Sequence, residues 1–349
     1  RHGTHGRKSR TRGQIHSTGY RIEMLSRNEY SQLKTVIVGD ATGAKIPVHD
    51  ISLRCVNYAD KPNDDQLPTS GLYPQQVIEE SNEDIAKFIQ FLEGESVQVL
   101  RPDPAHDPKY YTYCPRDTVF VHGDKVLFTP MALRARAEEF QAYIDLFKPF
   151  DVRKEVVLID REDSLYNDKC IGDPNVLALN ETENCFDAAN ILRNNDDIYY
   201  LVSNSGNKKG AKYLQGFLGN NVKVHTLEDV YSYMHLDSTI AFLRDGLLLA
   251  NPSRIKKKEQ LPKSLQNWDI IWAPEPVEIG HYPGLCNSSP WLSINLLSIN
   301  EKLVVLEEHQ HNLRQELEKH GIESAMLPLR HAVTLGGCFH CITTDVARQ

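Results

Sequence analysis

The feature that most constrains this chain is a pair of apolar runs around a tight polar turn, repeated along its length. "DTVFVHGDKVLFTP" (117–130) turns at Gly123-Asp124. "FDAANILRNNDDIYYLVS" (186–203), "HLDSTIAFLRDGLLLAN" (235–251) and "PWLSINLLSINEKLVVLEEH" (290–309) do the same around Asn-Asn-Asp-Asp, Asp-Gly and Asn-Glu-Lys. Apolar runs of strand length flanking such turn residues predict β-hairpins. A helical stretch follows each: "ALRARAEEFQAYIDLF", "KKGAKYLQGFLG", "KKEQLPKSLQ" and "NLRQELEKHG". Two of these carry clear apolar spacing at i, i+3 and i+4, and Pro262 shortens the third. One more short apolar run then closes each unit: "EVVLID", "VKVHTLED", "DIIWAPEP" and "IESAMLPL".

The N-terminal part fits a fifth copy, with "LKTVIVGD" as strand, "EDIAKFIQFLE" as helix and "SVQVLRP" as closing strand. It lacks half of its hairpin. The segment "FHCITTDVA" (339–347) is expected to supply that half by pairing with "KTVIVGD". Five ββαβ units with a borrowed closing strand imply an α/β ring, as in propellers, where closure protects the sheet edges. A plain open α/β sheet would leave the half-hairpin unexplained.

The chain has 349 residues, is 40% hydrophobic and carries a net charge of −8. That suits a soluble folded protein and argues against a nucleic-acid partner. No apolar run approaches the roughly 18 residues needed to span a bilayer. Seven cysteines are too few and too scattered for a disulfide framework, so a cytoplasmic protein with reduced thiols is expected. Residues 1–22 are basic and Gly-rich without apolar period, and read as a flexible tail or appended remnant ahead of a single domain over residues 23–349.

Equivalent positions of the units should meet near a ring axis. The start of each hairpin holds Asp117, then Asp187, then His235 with Asp237, then Ser288 and Ser289, and the closing segment holds Cys341. A single Asp before a strand is usually a cap or turn residue, and a Cys in an apolar run is usually a small core hydrophobe. Coincidence across five units outweighs those readings. If His235-Leu236-Asp237 is strand, His235 and Asp237 share a face. A histidine and carboxylates around a thiol are the set needed for nucleophilic catalysis by cysteine.

The stretch "LGGCFHCITTDV" (335–346) also has to be weighed as a metal or redox site. Cys338, His340 and Cys341 lack a second spaced ligand pair for zinc. The Cys-x-x-Cys spacing runs into a strand rather than opening a helix, unlike a thioredoxin-like pair. Gly336-Gly337 suits a tight turn or a close backbone approach beneath a substrate. Cys341 is therefore the candidate nucleophile. Carboxylates around a thiol repel anions and favour a cation, and a planar guanidinium matches carboxylates through forked hydrogen bonds.

These residues carry a family resemblance. "NEYSQLKTVIVG", "PRDTVFVHGDKVLFTPMALRAR", "FDAANILR", "MHLDSTIAFLRDGLLLANPSR", "NSSPWLSINLL" and "LGGCFHCITTDVAR" resemble the amidinotransferases, typified by glycine amidinotransferase, of the guanidine-modifying pentein superfamily. The resemblance implies a five-bladed α/β propeller and transfer of the amidino group of L-arginine to a primary amine, with release of L-ornithine. By the same resemblance Cys341 is the nucleophile, His235 the general acid/base and Asp187 the carboxylate that orients it. Asp117 and Asp237 would clamp the guanidinium, and Arg254, Ser288 and Ser289 would hold the amino-acid end of arginine. No cofactor and no metal are implied, and members are often homodimers.

Cys338 stands where the family usually has glycine, and the loop "EIGHYPGLCN" also departs from it. The pattern is nearest to cyanobacterial toxin-pathway members of the saxitoxin and cylindrospermopsin types, so the acceptor is glycine or, if the saxitoxin-type likeness holds, a larger amine intermediate of such a pathway. Two rivals stand beside this reading: a hydrolase of the arginine deiminase or dimethylargininase type, and a catalytically silent binding propeller.

Overall fold

The computed structural model describes residues 25–349; the tail read over residues 1–22 lies outside them. The hairpins form where the apolar alternation places them. Val119–His122 pairs antiparallel with Lys125–Phe128, and Ile191–Asn194 with Asp197–Leu201. Ile240–Arg244 pairs with Leu247–Ala250, and Leu297–Asn300 with Leu303–Glu307. Gly123, Asn195 and Gly246 turn three of them at φ of +62°, +57° and +79°. Glycine and, less often, asparagine accept this left-handed conformation, in which a Cβ is crowded.

A third strand joins each hairpin parallel to its second strand: Arg153–Val156, Lys223–Leu227, Asp269–Trp272 and Glu323–Leu327. Parallel neighbours need a crossover, and the stretch between hairpin and third strand provides it. The fifth sheet is completed as expected. Leu33–Val38 lies between Gln98–Leu100, which is parallel to it, and Thr343–Arg348, which is antiparallel and sets Thr343 opposite Val38. The described chain thus contains five separate three-stranded sheets and a small two-stranded one, an α/β fold. Among the described residues no helix is long and apolar enough to cross a membrane.

The crossover helices bury one face. Gln75–Gly94 packs Val77, Ile85, Phe88 and Leu92 inward. Lys208–Leu218 starts at Asn207, whose side chain accepts a hydrogen bond from the Gly210 amide at 2.9 Å. Such a cap satisfies an amide that has no partner within the helix.

Four local expectations are corrected. The stretch "KKEQLPKSLQ" is not a short helix but two 3-10 turns, Lys258–Gln260 and Lys263–Leu265, parted at Pro262. The stretch "ALRARAEEFQAYIDLF" is not one helix but three short 3-10 turns, Arg134–Arg136, Glu139–Ala142 and Ile144–Phe147. Arg136 and Glu139 are both buried and bonded to each other, so an ion pair aimed at the core overrides the helical pattern. The third strand of that unit is Arg153–Val156, earlier than "EVVLID" suggests. Finally, His235-Leu236-Asp237 is not strand: Leu236–Ser238 forms a 3-10 turn.

Candidate active site

That turn is one of a series. Pro115–Thr118, Ala188–Asn190, Leu236–Ser238 and Pro290–Ile294 are single turns directly before the first hairpin strands. The segment before the closing strand also turns, with the Ile342 amide donating to the Cys338 carbonyl at 3.0 Å. Each turn lets the chain present polar side chains inward and then reverse into an apolar strand. Asp117, Asp187, His235, Asp237 and Cys341 all sit on or beside these turns, and the structure brings all five together.

Cys341 is buried, at 3% exposure. Asn295 holds its backbone: the Asn295 Oδ1 accepts from the Cys341 amide at 3.0 Å and from the Cys338 amide at 3.2 Å. The Cys341 Sγ donates to Asp237 Oδ2 at 3.4 Å. A hydrogen bond with the Cys114 thiol, burial and the Asp237 carboxylate push the Cys341 thiol well above its usual range. It is therefore a thiol, not a thiolate, in the free protein near neutral pH. Gly336 takes φ of +86° at a helix end. Gly337 has no room for a side chain, because a Cβ there would stand 2.5 Å from Cys114 Sγ and 2.9 Å from Cys341 Cβ. The glycine pair does make a close approach, to the Cys114 sulfur and the Cys341 Cβ.

His235 Nε2 lies 2.9 Å from Asp187 Oδ2, and its Nδ1 lies 3.6 Å from Asp117 Oδ1. Asp187 is itself fixed by the Ala132 amide, which donates to its Oδ1 at 3.1 Å. Burial pulls the His235 pKa down, but the Asp117 and Asp187 carboxylates outweigh it and lift it to about 9. The ring is then an imidazolium at neutral pH and can give up a proton. A raised pKa also makes a stability prediction. The contribution of His235 is complete below its unfolded value near 6.5 and is lost as pH rises through about 9. His235→Gln should cost roughly 3 kcal/mol below about pH 6.5 and far less above about pH 9. Denaturant midpoints of both proteins across that range check this; a pH-independent difference would contradict the assignment.

Asp117 is clamped on one side, with Arg136 Nη1 at 2.6 Å from its Oδ2. Its Oδ1 is buried and has no hydrogen-bond partner among the described residues. Burial raises the Asp117 pKa despite His235 and Arg136. An anionic oxygen left in this state is costly, and it marks where a donor belongs.

No protein-family model matches the chain. Inosamine-phosphate amidinotransferase 1 of Streptomyces griseus is 40% identical to it over 334 residues, covering 92% of this chain and 96% of that protein. The chain belongs to the amidinotransferase family. The solved structure of that Streptomyces amidinotransferase superposes with a TM-score of 0.89 over 93% of this chain and 97% of its own, at 39% identity. SxtG, an amidinotransferase from Microseira wollei in the saxitoxin biosynthetic pathway, superposes with a TM-score of 0.85 at 30% identity, over 94% and 98% of the two chains. The L-arginine:L-lysine amidinotransferase of Pseudomonas savastanoi pv. phaseolicola is 30% identical over 348 residues, 93% of this chain and 94% of that one.

In this amidinotransferase the remaining expected residues are only partly assembled. Arg254 Nη1 donates to the Ser238 carbonyl at 2.9 Å, to Ser238 Oγ at 2.8 Å and to Thr239 Oγ1 at 2.9 Å. It is thus tied to the turn that carries Asp237, and its guanidinium lies 3.5 Å from the centre of the Tyr231 ring. Ser289 Oγ is 3.4 Å from Arg254 Nη2. Ser288 does not join them; its hydroxyl donates to the Ser289 carbonyl at 3.0 Å.

Sequence reading missed His340, Glu29, Arg136, Glu139, Asn295 and Cys114. His340 was weighed only as a metal ligand beside Cys338 and Cys341. The three do not converge on one point: His340 Nδ1 lies 2.7 Å from Asp237 Oδ2 and its Nε2 lies 3.4 Å from Glu29 Oε2. Asn295 had a signal, since it occupies in "PWLSIN" the place of Asn190 in "DAAN", each ending the turn before a hairpin.

Proposed function

We propose that the protein moves the amidino group of L-arginine to a primary amine through an amidino-Cys341 intermediate and releases L-ornithine. The observation that carries this reading is the buried, unpartnered Asp117 Oδ1 beside a thiol and an imidazolium. A guanidinium supplies the missing N–H donor to that oxygen. Asp117 and Asp237 clamp it, and Asp187 orients His235. Arg254 and Ser289 hold the carboxylate end of the donor, with Ser288 at the rim.

The chemistry then runs in two halves. The bound cation beside Cys341 favours the thiolate: the Sγ proton leaves to solvent as L-arginine binds and returns when the site empties after the second half, and the thiolate sulfur attacks the guanidinium carbon. The bond from that carbon to the ornithine nitrogen breaks, and His235 gives that nitrogen a proton. Ornithine leaves and the acceptor amine enters. His235 takes a proton from it as it attacks the same carbon, and the carbon–sulfur bond breaks. Water must be kept out, or the intermediate hydrolyses.

The acceptor in this proposal is an amine larger than glycine. Support comes from the relatives named for inosamine phosphate and for the saxitoxin pathway. We further propose that residues 23–349 form one domain and that the five sheets are the blades of a propeller, since the turns of all five units supply the site.

Mass spectrometry after incubation with L-arginine alone tests the reading. An amidino adduct on the peptide holding Cys341, with ornithine released, is the expected result. Citrulline without ornithine would make the protein a hydrolase. No adduct and no turnover would leave a silent binding protein.

A further inference from the structure

His340, which the proposed reaction leaves unused, is buried among charges. Its two ring nitrogens face two carboxylates, Asp237 at 2.7 Å and Glu29 at 3.4 Å. A neutral imidazole has one N–H and one lone pair, so it can donate to only one of them. Only the imidazolium satisfies both. The surroundings hold the ring in place from several sides. Arg116 Nε donates to the His340 carbonyl at 3.2 Å, and the His340 amide donates to the Asn295 carbonyl at 3.1 Å. Glu29 is locked by Arg193, whose Nε lies 2.8 Å from its Oε1.

The same oxygen of Asp237, Oδ2, receives both His340 Nδ1 at 2.7 Å and Cys341 Sγ at 3.4 Å. A carboxylate anchored through one oxygen by a cation has a fixed plane, and its second oxygen has a fixed direction. We propose that His340 is a positioning residue for the donor site: doubly protonated, it occupies Asp237 Oδ2 and thereby presents the other Asp237 oxygen to the guanidinium. This rests on the amidino-transfer reading. It explains why the residue next to the nucleophile is an ionisable one that points away from the reacting carbon.

Two substitutions separate positioning from simple packing. In His340→Asn the amide nitrogen falls near the place of Nδ1 and still reaches Asp237. In His340→Gln it falls near Nε2 and reaches Glu29 instead. Amidination of Cys341 at limiting L-arginine should slow about 10-fold or less in the Asn variant and about 30-fold or more in the Gln variant, the effect of losing a hydrogen bond to a charged group. Both lose the cation, so Asp237 is ionised less readily against Glu29 and Asp345. The acid limb of the rate should move to higher pH in both, although Arg116 and His235 remain. Equal slowing in the two variants, or an unmoved acid limb, overturns the proposal.

Two further readouts keep the test independent of its surroundings. If the unaltered protein forms no adduct with arginine, the amidino-transfer reading fails. Alkylation of Cys341 by iodoacetamide then still reads the clamp, and it should be slower in His340→Gln than in His340→Asn; the reverse order or no difference overturns it. If the variants do not fold, long-range proton–nitrogen NMR on the histidine-labelled parent protein should show the His340 ring itself as an imidazolium near neutral pH, beside His235 and the Glu307-paired His309. A neutral His340 ring overturns the proposal.

Discussion

Cys341→Ala is expected to leave the protein folded and to lower amidino transfer by at least about 10⁴-fold, because among the described residues no second nucleophile is placed to form the proposed covalent intermediate. The nearest candidate is Cys114, which hydrogen-bonds to Cys341. It sits in a different turn, under Gly337, and has no carboxylate bonded to its sulfur. Cys114→Ala should therefore retain the adduct on the Cys341 peptide. The fold should survive Cys341→Ala because the backbone of that turn is held by Asn295 and by the Arg116 amide, not by the sulfur. Retention of more than about one per cent of the activity in the alanine variant would mean that the covalent route is wrong.

The second large effect is on stability. Asp345 is fully buried and accepts from three arginines: from Arg116, from Arg193 Nη2 at 2.7 Å and from Arg348 Nε at 2.7 Å. These guanidinium groups hold its carboxyl well below the usual carboxylate range, against the opposing effect of burial. Asp345→Ala leaves them with only Glu29 nearby and should destabilise the protein by about 3–5 kcal/mol, the cost of an uncompensated buried charge. Denaturant unfolding measures it, and a loss below about 1 kcal/mol would show that the network relaxes freely. Asp345→Asn keeps an acceptor and should lie between the two. The Asp345 contribution is present above about pH 3.8 and is lost as pH falls through its lower folded value. Activity should fall with stability, because Arg116 also steadies the His340 carbonyl.

The parts of this protein that were legible in its sequence are those written locally. The four hairpins follow from apolar runs meeting at Gly123, Asn195, Gly246 and Asn300–Lys302, where the reason for the turn lies within the turn. The closing strand was legible for a different reason: the first unit had a vacancy that only "FHCITTDVA" could fill. Asp117, Asp187, His235, Asp237 and Cys341 stood out because repeats put them at matching places. The turns that actually carry these residues were not legible, since one 3-10 turn looks like the start of the strand that follows it. His340 and Glu29 were missed because what defines them is each other, and the two lie at distant positions of the chain. Arg136 and Glu139 look like the solvent face of a helix. Only the fold shows that Asp117 draws Arg136 inside and that Glu139 must follow.

The pairing of Leu33–Val38 with Thr343–Arg348 also has a consequence in time. Contacts between residues so far apart in the chain form late, because the intervening loop must first be ordered. Cys341 lies just before Thr343–Arg348, so the proposed nucleophile is expected to reach its carboxylate and imidazole neighbours only as this long-range pairing forms, and the site is expected to be completed late in folding.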